Sequence, residues 1–297
     1  MSRIEDVLKK LRSGGATAGA GPSSAAPSSA GALIARGSAV PIARKKKVAI
    51  EGEKHHVSQQ ALIEGGLLAP FEQAVAVADE FRRIKRPLIA NALRTGPGAT
   101  PNQNVIMIAS GMPGAGKTFC SVNLAFSISL ERELNVLLVD ADVAKPHISR
   151  AFGLENAPGL IDLLLEESGD VAELLVRTDI NDIQVLPAGR NHPQATELLA
   201  SERMSAIVKD LATRYADRIV LLDSPPLLIT SEAQALASKV GQIALVVEAA
   251  RTSKQALEQT IETLARDKAI NIILNKARSW GRSGSYYGEY GYGYESR

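Results

Sequence analysis

The octapeptide GMPGAGKT, from Gly111 to Thr118, constrains this chain more than any other feature. It fits G-x-x-x-x-G-K-[ST], and its flanks have the character that pattern requires. NVIMIAS before it is a continuous apolar run of strand type, and KTFCSVNLAFSISLER after it carries helical spacing. Backbone N–H groups in such a loop, at the positive end of a helix starting near Lys117, can surround a polyphosphate. Gly111, Met112, Pro113, Gly114, Ala115, Gly116, Lys117 and Thr118 are therefore the candidate nucleotide cradle. Lys117 would reach the β- and γ-phosphates, and the Thr118 hydroxyl would bind Mg²⁺.

The alternation continues downstream. NVLLVD, RIVLLDSP, QIALVVEA and NIILNKA read as strands, while TELLASERMSAIVKDLATRYA, SEAQALASK and SKQALEQTIETLARD read as helices. Short continuous apolar runs between helices indicate parallel strands covered on both faces. The expected fold class is α/β: a P-loop NTPase with a mostly parallel central sheet and helices on both faces. A flexible N-terminal extension is expected before it and a disordered Tyr-rich tail after it.

Ligands of such sheets bind beyond the carboxyl ends of the strands. Two further strands deliver acid there: VLLVDAD supplies Asp140 and Asp142, and IVLLDSPP supplies Asp223. A carboxylate at a strand tip beside the P-loop can hold Mg²⁺ directly or through water. Thr118, Asp140, Asp142 and Asp223 thus form the candidate metal shell, and Lys117 with the three acids the candidate catalytic group. A loop or helix cap is the plainer account of any single Asp, but two strands sending acid to one edge weaken it. Asn275, after the last strand, is placed either to read the nucleotide base or to form a turn. Cys120, just inside the loop's helix, reads as core. His55, His56, His147 and His192 show no metal-ligand spacing.

A chain of 297 residues has room for one large α/β domain and an appendage. Its formal charge of +2 gives no general reason to expect nucleic acid as a partner. A single cysteine cannot form an internal disulfide and fits a reducing compartment. No run approaches the roughly 18 apolar residues of a membrane span, and the N-terminus lacks a signal-peptide apolar region, so a cytoplasmic protein is expected.

Residues 1–12 hold a short amphipathic segment with Ile4, Val7, Leu8 and Leu11 on one face, either a docking helix or a frayed end. Residues 13–47 are a Gly/Ala/Ser/Pro and basic linker. It ends in ARKKK, which is either simply solvated or rests on acidic headgroups. The P-loop domain is expected over 48–277, with the folded domain proper beginning near Asn104. Within it FEQAVAVADEFRRIKRPLIANAL reads helical until Pro87 kinks or ends it. Residues 278–297 contain Tyr286, Tyr287, Tyr290, Tyr292 and Tyr294, five of the six tyrosines of a chain only 4% aromatic.

SGMPGAGKT, LLVDADVAKP and IVLLDSPP together resemble the Walker A, Walker A′ and Walker B motifs of the bacterial tyrosine kinases, or BY-kinases. GLIDLLLEES, LLVRTDI, VLPAGRNHPQATELLAS and SPPLLITSEAQALASKVGQIALVVEA look especially like the exosortase-associated tyrosine autokinases of exopolysaccharide loci. The resemblance runs from about Glu72 to the C-terminus. It implies an ATP- and Mg²⁺-dependent autokinase whose phosphoacceptors are the five tail tyrosines and whose residues 70–93 form an oligomerisation helix. Glu80, Arg83 and Arg86 match the family's E-x-x-R-x-x-R pattern, which assembles subunits into a ring; an intrahelical Glu–Arg pair is the plainer alternative. Also implied are a homo-oligomer, a membrane-embedded polysaccharide chain-length (co-polymerase) protein that activates the kinase and recruits it to the inner face of the cell membrane, and a tyrosine phosphatase.

The sequence departs from the family at two points, and a third position separates it from partition-type relatives. Ala144 stands where the Walker A′ motif usually has arginine, with Lys145 next to it. Ala115 stands where Walker A often has glutamate. Met112 replaces the lysine that partition-type relatives send across a dimer interface. A partition- or septum-site-type positioning ATPase and a nucleotide-gated scaffold without kinase activity are the alternatives.

Overall fold

The computed structural model describes residues 53–166, 168–214, 218–264 and 268–277. The segments expected over 1–12 and 13–47, and the tail over 278–297 with its five tyrosines, lie outside the described residues. Helices α1 (Gln59–Glu64) and α2 (Phe71–Ala92) lead into β1 (Val105–Ala109), α3 (Lys117–Ser129) and β2 (Asn135–Asp140). Short helices α4 (His147–Ala151), α5 (Leu160–Leu165) and α6 (Val171–Leu174) follow, then strands β3 (Val176–Arg177) and β4 (Gln184–Leu186). Next come α7 (Ala195–Ala200), α8 (Glu202–Arg214), β5 (Arg218–Asp223), α9 (Ser231–Lys239), β6 (Gln242–Glu248), α10 (Lys254–Glu262) and β7 (Ala269–Asn275).

The seven strands lie in the order β3-β4-β2-β5-β1-β6-β7, all neighbours parallel except the β3–β4 pair. Successive strand side chains point to opposite faces, and here they enter two separate cores. Val105, Met107 and Ala109 of β1 join Val220 and Leu222 of β5 under α5, α7, α8, α9 and α10. Ile106 and Ile108 join Ile219 and Leu221 on the other face, beneath α1, α2, α3 and α4. That double burial explains why the strands read as unbroken apolar runs. The expected α/β P-loop architecture is the one observed.

Four details differ from expectation. First, the fold starts well before Asn104. Val57, Leu62, Phe81 and Leu88 are core residues, and His55 pairs with Thr178 beside the sheet edge. Second, α2 runs through Pro87. Phe81, Lys85, Leu88 and Ala92 all pack inward on one face, whereas Pro87 is exposed, so water can satisfy the carbonyl that loses its partner.

Third, the helix expected over 196–216 is broken at Ser201. There the backbone turns extended and the hydroxyl bonds both Leu198 O and Met204 N, closing one helix and opening the next. Fourth, β3 and β4 had no strand signal, being two and three residues long. Among the described residues no helix is long and apolar enough to cross a membrane.

One polar contact joins α2 to the helix of the phosphate loop. Lys85 is buried, with its ammonium donating to Ser127 O at 2.5 Å and pairing with Glu131 at 2.7 Å. The charge thereby satisfies a carbonyl in the last turn of α3, where a cation is favoured. Lys85→Met should lower unfolding free energy by about 1.5–3 kcal/mol, since a charged hydrogen bond is lost and a buried carbonyl is orphaned. Glu131→Gln should cost less, because that side chain is 45% exposed. Urea denaturation of both variants checks the ranking.

Candidate active site

The site begins with the parallel ladder. Ile108 of β1 and Asp140 of β2 both pair with Asp223 of β5, so the three strand tips end at one level. Directly beyond β1 the chain enters the loop Gly111–Gly116, and α3 starts at Lys117. Gly114 and Gly116 adopt φ of 80° and 95°, left-handed conformations that favour glycine. A side chain at Gly116 would also sit 2.2 Å from the Asn275 amide nitrogen, so only glycine fits.

Lys117 is buried at the start of α3 and donates to Ser110 Oγ at 3.3 Å. Burial lowers its pKa, while the charges of Asp223 and Asp142 act in the opposite direction. Asp223 is 1% exposed and accepts from Ser121 Oγ at 2.9 Å, and the Thr118 side chain also favours its ionised form. Burial pushes its carboxyl up to about 6. Asp140 is fully buried; its Oδ2 accepts from Ser149 N at 2.8 Å and Ser149 Oγ at 2.7 Å. Desolvation nevertheless pushes it up to about 7. Asp142 is half-buried, and burial raises its carboxyl against the pull of Lys117.

The expected cradle, Lys117, Thr118 and the three acids therefore gather at one end of the sheet. Their surroundings separate them: Asp142 faces partly outward, whereas Asp140 is tied to Ser149, whose hydroxyl also accepts from Ala188 N at 2.9 Å. Asn275 donates its amide to Ala115 O at 2.8 Å, using one of its two hydrogens on the loop. Cys120 is core, its thiol pushed to about 12 by burial. Glu80, Arg83 and Arg86 are exposed on α2; the i,i+3 ion pair of that helix joins Asp79 to Arg82 instead.

Sequence reasoning missed Ser110, Ser121, Ser149, Glu248 and Lys276. Lys276 donates to Gly114 O at 2.7 Å and pairs with Glu248 at 3.2 Å. Its adjacency to Asn275 was a signal; for Ser149, nine residues beyond Asp140, there was none.

The donor set fits a nucleotide-bound magnesium ion. Asp140 Oδ1 is buried without a hydrogen-bond partner, an atom that a cation or its water would satisfy. Among the described residues no three His, Cys, Asp or Glu side chains enclose a metal by themselves. Mg²⁺ suits that arrangement, because it takes one or two carboxylates and fills its octahedron with phosphate and water. Thr118, Asp140, Asp142 and Asp223 would hold it, directly or through water.

Residues 103–276, over half the chain, match the AAA domain family AAA_31. The chain is 33% identical over 189 residues to the tyrosine-protein kinase YwqD of Bacillus subtilis, covering 63% of this chain and 76% of that protein. It is 31% identical over 195 residues to the tyrosine-protein kinase wzc of Salmonella typhimurium, covering 65% of this chain but only 27% of that longer protein. The kinase domain of the Escherichia coli tyrosine kinase ETK superposes with a TM-score of 0.59 at 24% identity, over 82% of this chain and 88% of that one, which bears on the fold alone. The VpsO kinase domain gives 0.52 at 29% identity, over 67% and 99%.

A pH dependence follows from the buried acids. Folded Asp223 holds its proton up to about pH 6, whereas the unfolded chain releases it near the ordinary value of 3.8. The native state thus binds more protons between those values, and stability falls as pH rises through them. Asp223→Asn removes that loss. Its melting temperature relative to wild type, both nucleotide-free, should rise from pH 4 to pH 7; a difference that stays flat, measured by scanning calorimetry, would count against the burial argument.

Proposed function

The chain belongs to the bacterial tyrosine-protein kinase family, and on that footing we propose an ATP- and Mg²⁺-dependent autokinase that phosphorylates its own C-terminal tyrosine cluster in trans within a homo-oligomer. One observation carries this reading. Strand β7, which leads to the tail, ends on the phosphate loop itself through Asn275 and Lys276. Tyr286 follows Lys276 by ten positions, roughly 33 Å of fully extended chain, and Tyr294 can reach about 60 Å. Such a span is long enough for a tail tyrosine to enter the cradle of an adjoining copy in the proposed oligomer.

Tyrosine has a reference pKa of about 10 and attacks as a phenol at neutral pH. Phosphoryl transfer has a loose transition state, so positioning and charge neutralisation contribute more than strong deprotonation. The phenolic oxygen bonds to the γ-phosphorus, the bond to the β–γ bridging oxygen breaks, and ADP departs. Lys117 supplies fixed positive charge to the phosphates. Asp142, at the open rim, takes the phenolic proton. Asp140 and Ser149 brace the loop that carries Asp142. Bound Mg²⁺ would neutralise charge on the β- and γ-oxygens.

Exposed Glu80, Arg83 and Arg86 support the ring interface carried by the family pattern. Five phosphotyrosines would add about −8 to −10 of charge, far beyond the formal +2. Repulsion between modified tails would then favour dispersal of the ring. Regulation of exopolysaccharide synthesis or export, an activating co-polymerase partner at the inner membrane face and an opposing phosphatase rest on the resemblance to exosortase-associated autokinases.

Two full-length variants test the chemistry together. A Lys117→Met chain, with its tyrosines intact, should acquire phosphotyrosine when mixed with Mg-ATP and a chain carrying Tyr→Phe at all five tail positions. Mass spectrometry reads the product. Label that appears in wild type alone but never in the Lys117→Met chain would mean transfer within one copy, and no label anywhere would end the kinase reading.

A further inference from the structure

Lys276 does more than terminate the last strand. We propose that Lys276, together with Asn275, is a positioning residue that sets the peptide planes of the phosphate loop so that its N–H groups face the nucleotide. The inference rests on the reading of Gly111–Thr118 as an ATP cradle and concerns what holds that cradle in shape.

Two consecutive residues of β7's end bond two consecutive loop carbonyls: Lys276 Nζ to Gly114 O at 2.7 Å, and Asn275 Nδ2 to Ala115 O at 2.8 Å. A trans peptide points its C=O and N–H in opposite directions. Holding those two carbonyls toward β7 therefore turns the N–H groups of Ala115 and Gly116 away from β7. Both belong to the row of amides that such a loop offers to an anion. The glycines cannot fix these planes themselves, since Gly114 and Gly116 lack the side chain that restricts rotation. An outside clamp supplies the missing restraint.

The clamp is itself held. Glu248, at the tip of β6, lies in register with Asn275, its side chain is only 13% exposed, and it pairs with Lys276 at 3.2 Å. Ala249 N donates to Asn275 O at 2.9 Å, tying the same turn. Lys276 adopts φ of 55°, a left-handed conformation that non-glycine residues occupy at some cost. That backbone is kept in place while the side chain reaches the loop.

The test measures affinity in the full-length protein for Mg-ATP and for inorganic triphosphate, the latter by competition, with melting temperature recorded alongside. Lys276→Met should weaken both ligands by the same factor, roughly five- to tenfold, with little change in melting. Lys276→Arg, which keeps the charge and donors, should recover most of the loss. Glu248→Gln should weaken binding in wild type but add little in the Lys276→Met background, because it acts through Lys276. Unchanged affinity in Lys276→Met overturns the proposal. So does a loss confined to ATP with triphosphate unaffected, which would place the residue at the base instead. A wild type that binds neither ligand removes the cradle reading and this inference together, a failure distinct from intact wild-type binding that ignores Lys276.

Discussion

Asp140 and Asp223 stand side by side across the β2–β5 ladder, almost wholly removed from water. Two carboxylates in that position repel each other and lose hydration, so each favours its protonated form. The neighbouring groups temper this. Ser121 donates to Asp223, Ser149 donates twice to Asp140, and the Lys117 ammonium lies close enough to Asp223 and Asp142 to affect all three charges. None of these satisfies Asp140 Oδ1. Burial thus raises the carboxyls above their ordinary range, and added positive charge, such as a metal–nucleotide complex brings, would favour their ionised forms.

The helix that bears Lys117 is fixed at both ends by residues from other elements. At its start the loop is gripped by Asn275 and Lys276. At its end Lys85 binds Ser127 O and Glu131. Lys85 lies on the inward face of α2, the helix whose outward face exposes Glu80, Arg83 and Arg86. A subunit docked on that outer face would thus press on an element latched to the nucleotide helix, and interfaces transmit displacement through such packed, close contacts. The exposed Glu80, Arg83 and Arg86 face and the helix that bears Lys117 are thus joined through one piece of scaffold.

Much of this was legible in the sequence because its signals are local. An octapeptide between strand and helix located the cradle, and strand-end acids located the partners, since parallel strands put their carboxyl ends together. What escaped depended on long-range packing. Pro87 reads as a stop until Phe81, Lys85 and Leu88 are seen to hold both halves of α2 against the core. Ser201 looks like any polar helix residue until its hydroxyl is found bonding in both directions. Ser149 carries no pattern and Lys276 only its place beside Asn275; the fold brings them to Asp140 and Gly114. Asn275 was noticed by position, yet the amide's bond to the loop is visible only in three dimensions.

The two departures from the family pattern, and then Met112, can be weighed by what surrounds them. Ala115 is buried in the core under the loop and contributes its carbonyl to Asn275, so its place in the cradle is a backbone one. Ala144 is exposed and brings no charge, but the charges of Lys145 and His147 both act on Asp142 in the direction an arginine would, favouring the ionised carboxylate. Met112 is 48% exposed at the loop's edge and has no ammonium to offer a partner's nucleotide. The first two substitutions leave the site's charge balance in place, which weakens the case for an inert scaffold. The third removes the device on which a sandwich-type positioning ATPase relies. Of the readings the sequence left open, the kinase is the one favoured by a buried lysine at the start of the loop helix, a half-buried carboxylate at Asp142, and a last strand that ends on the loop.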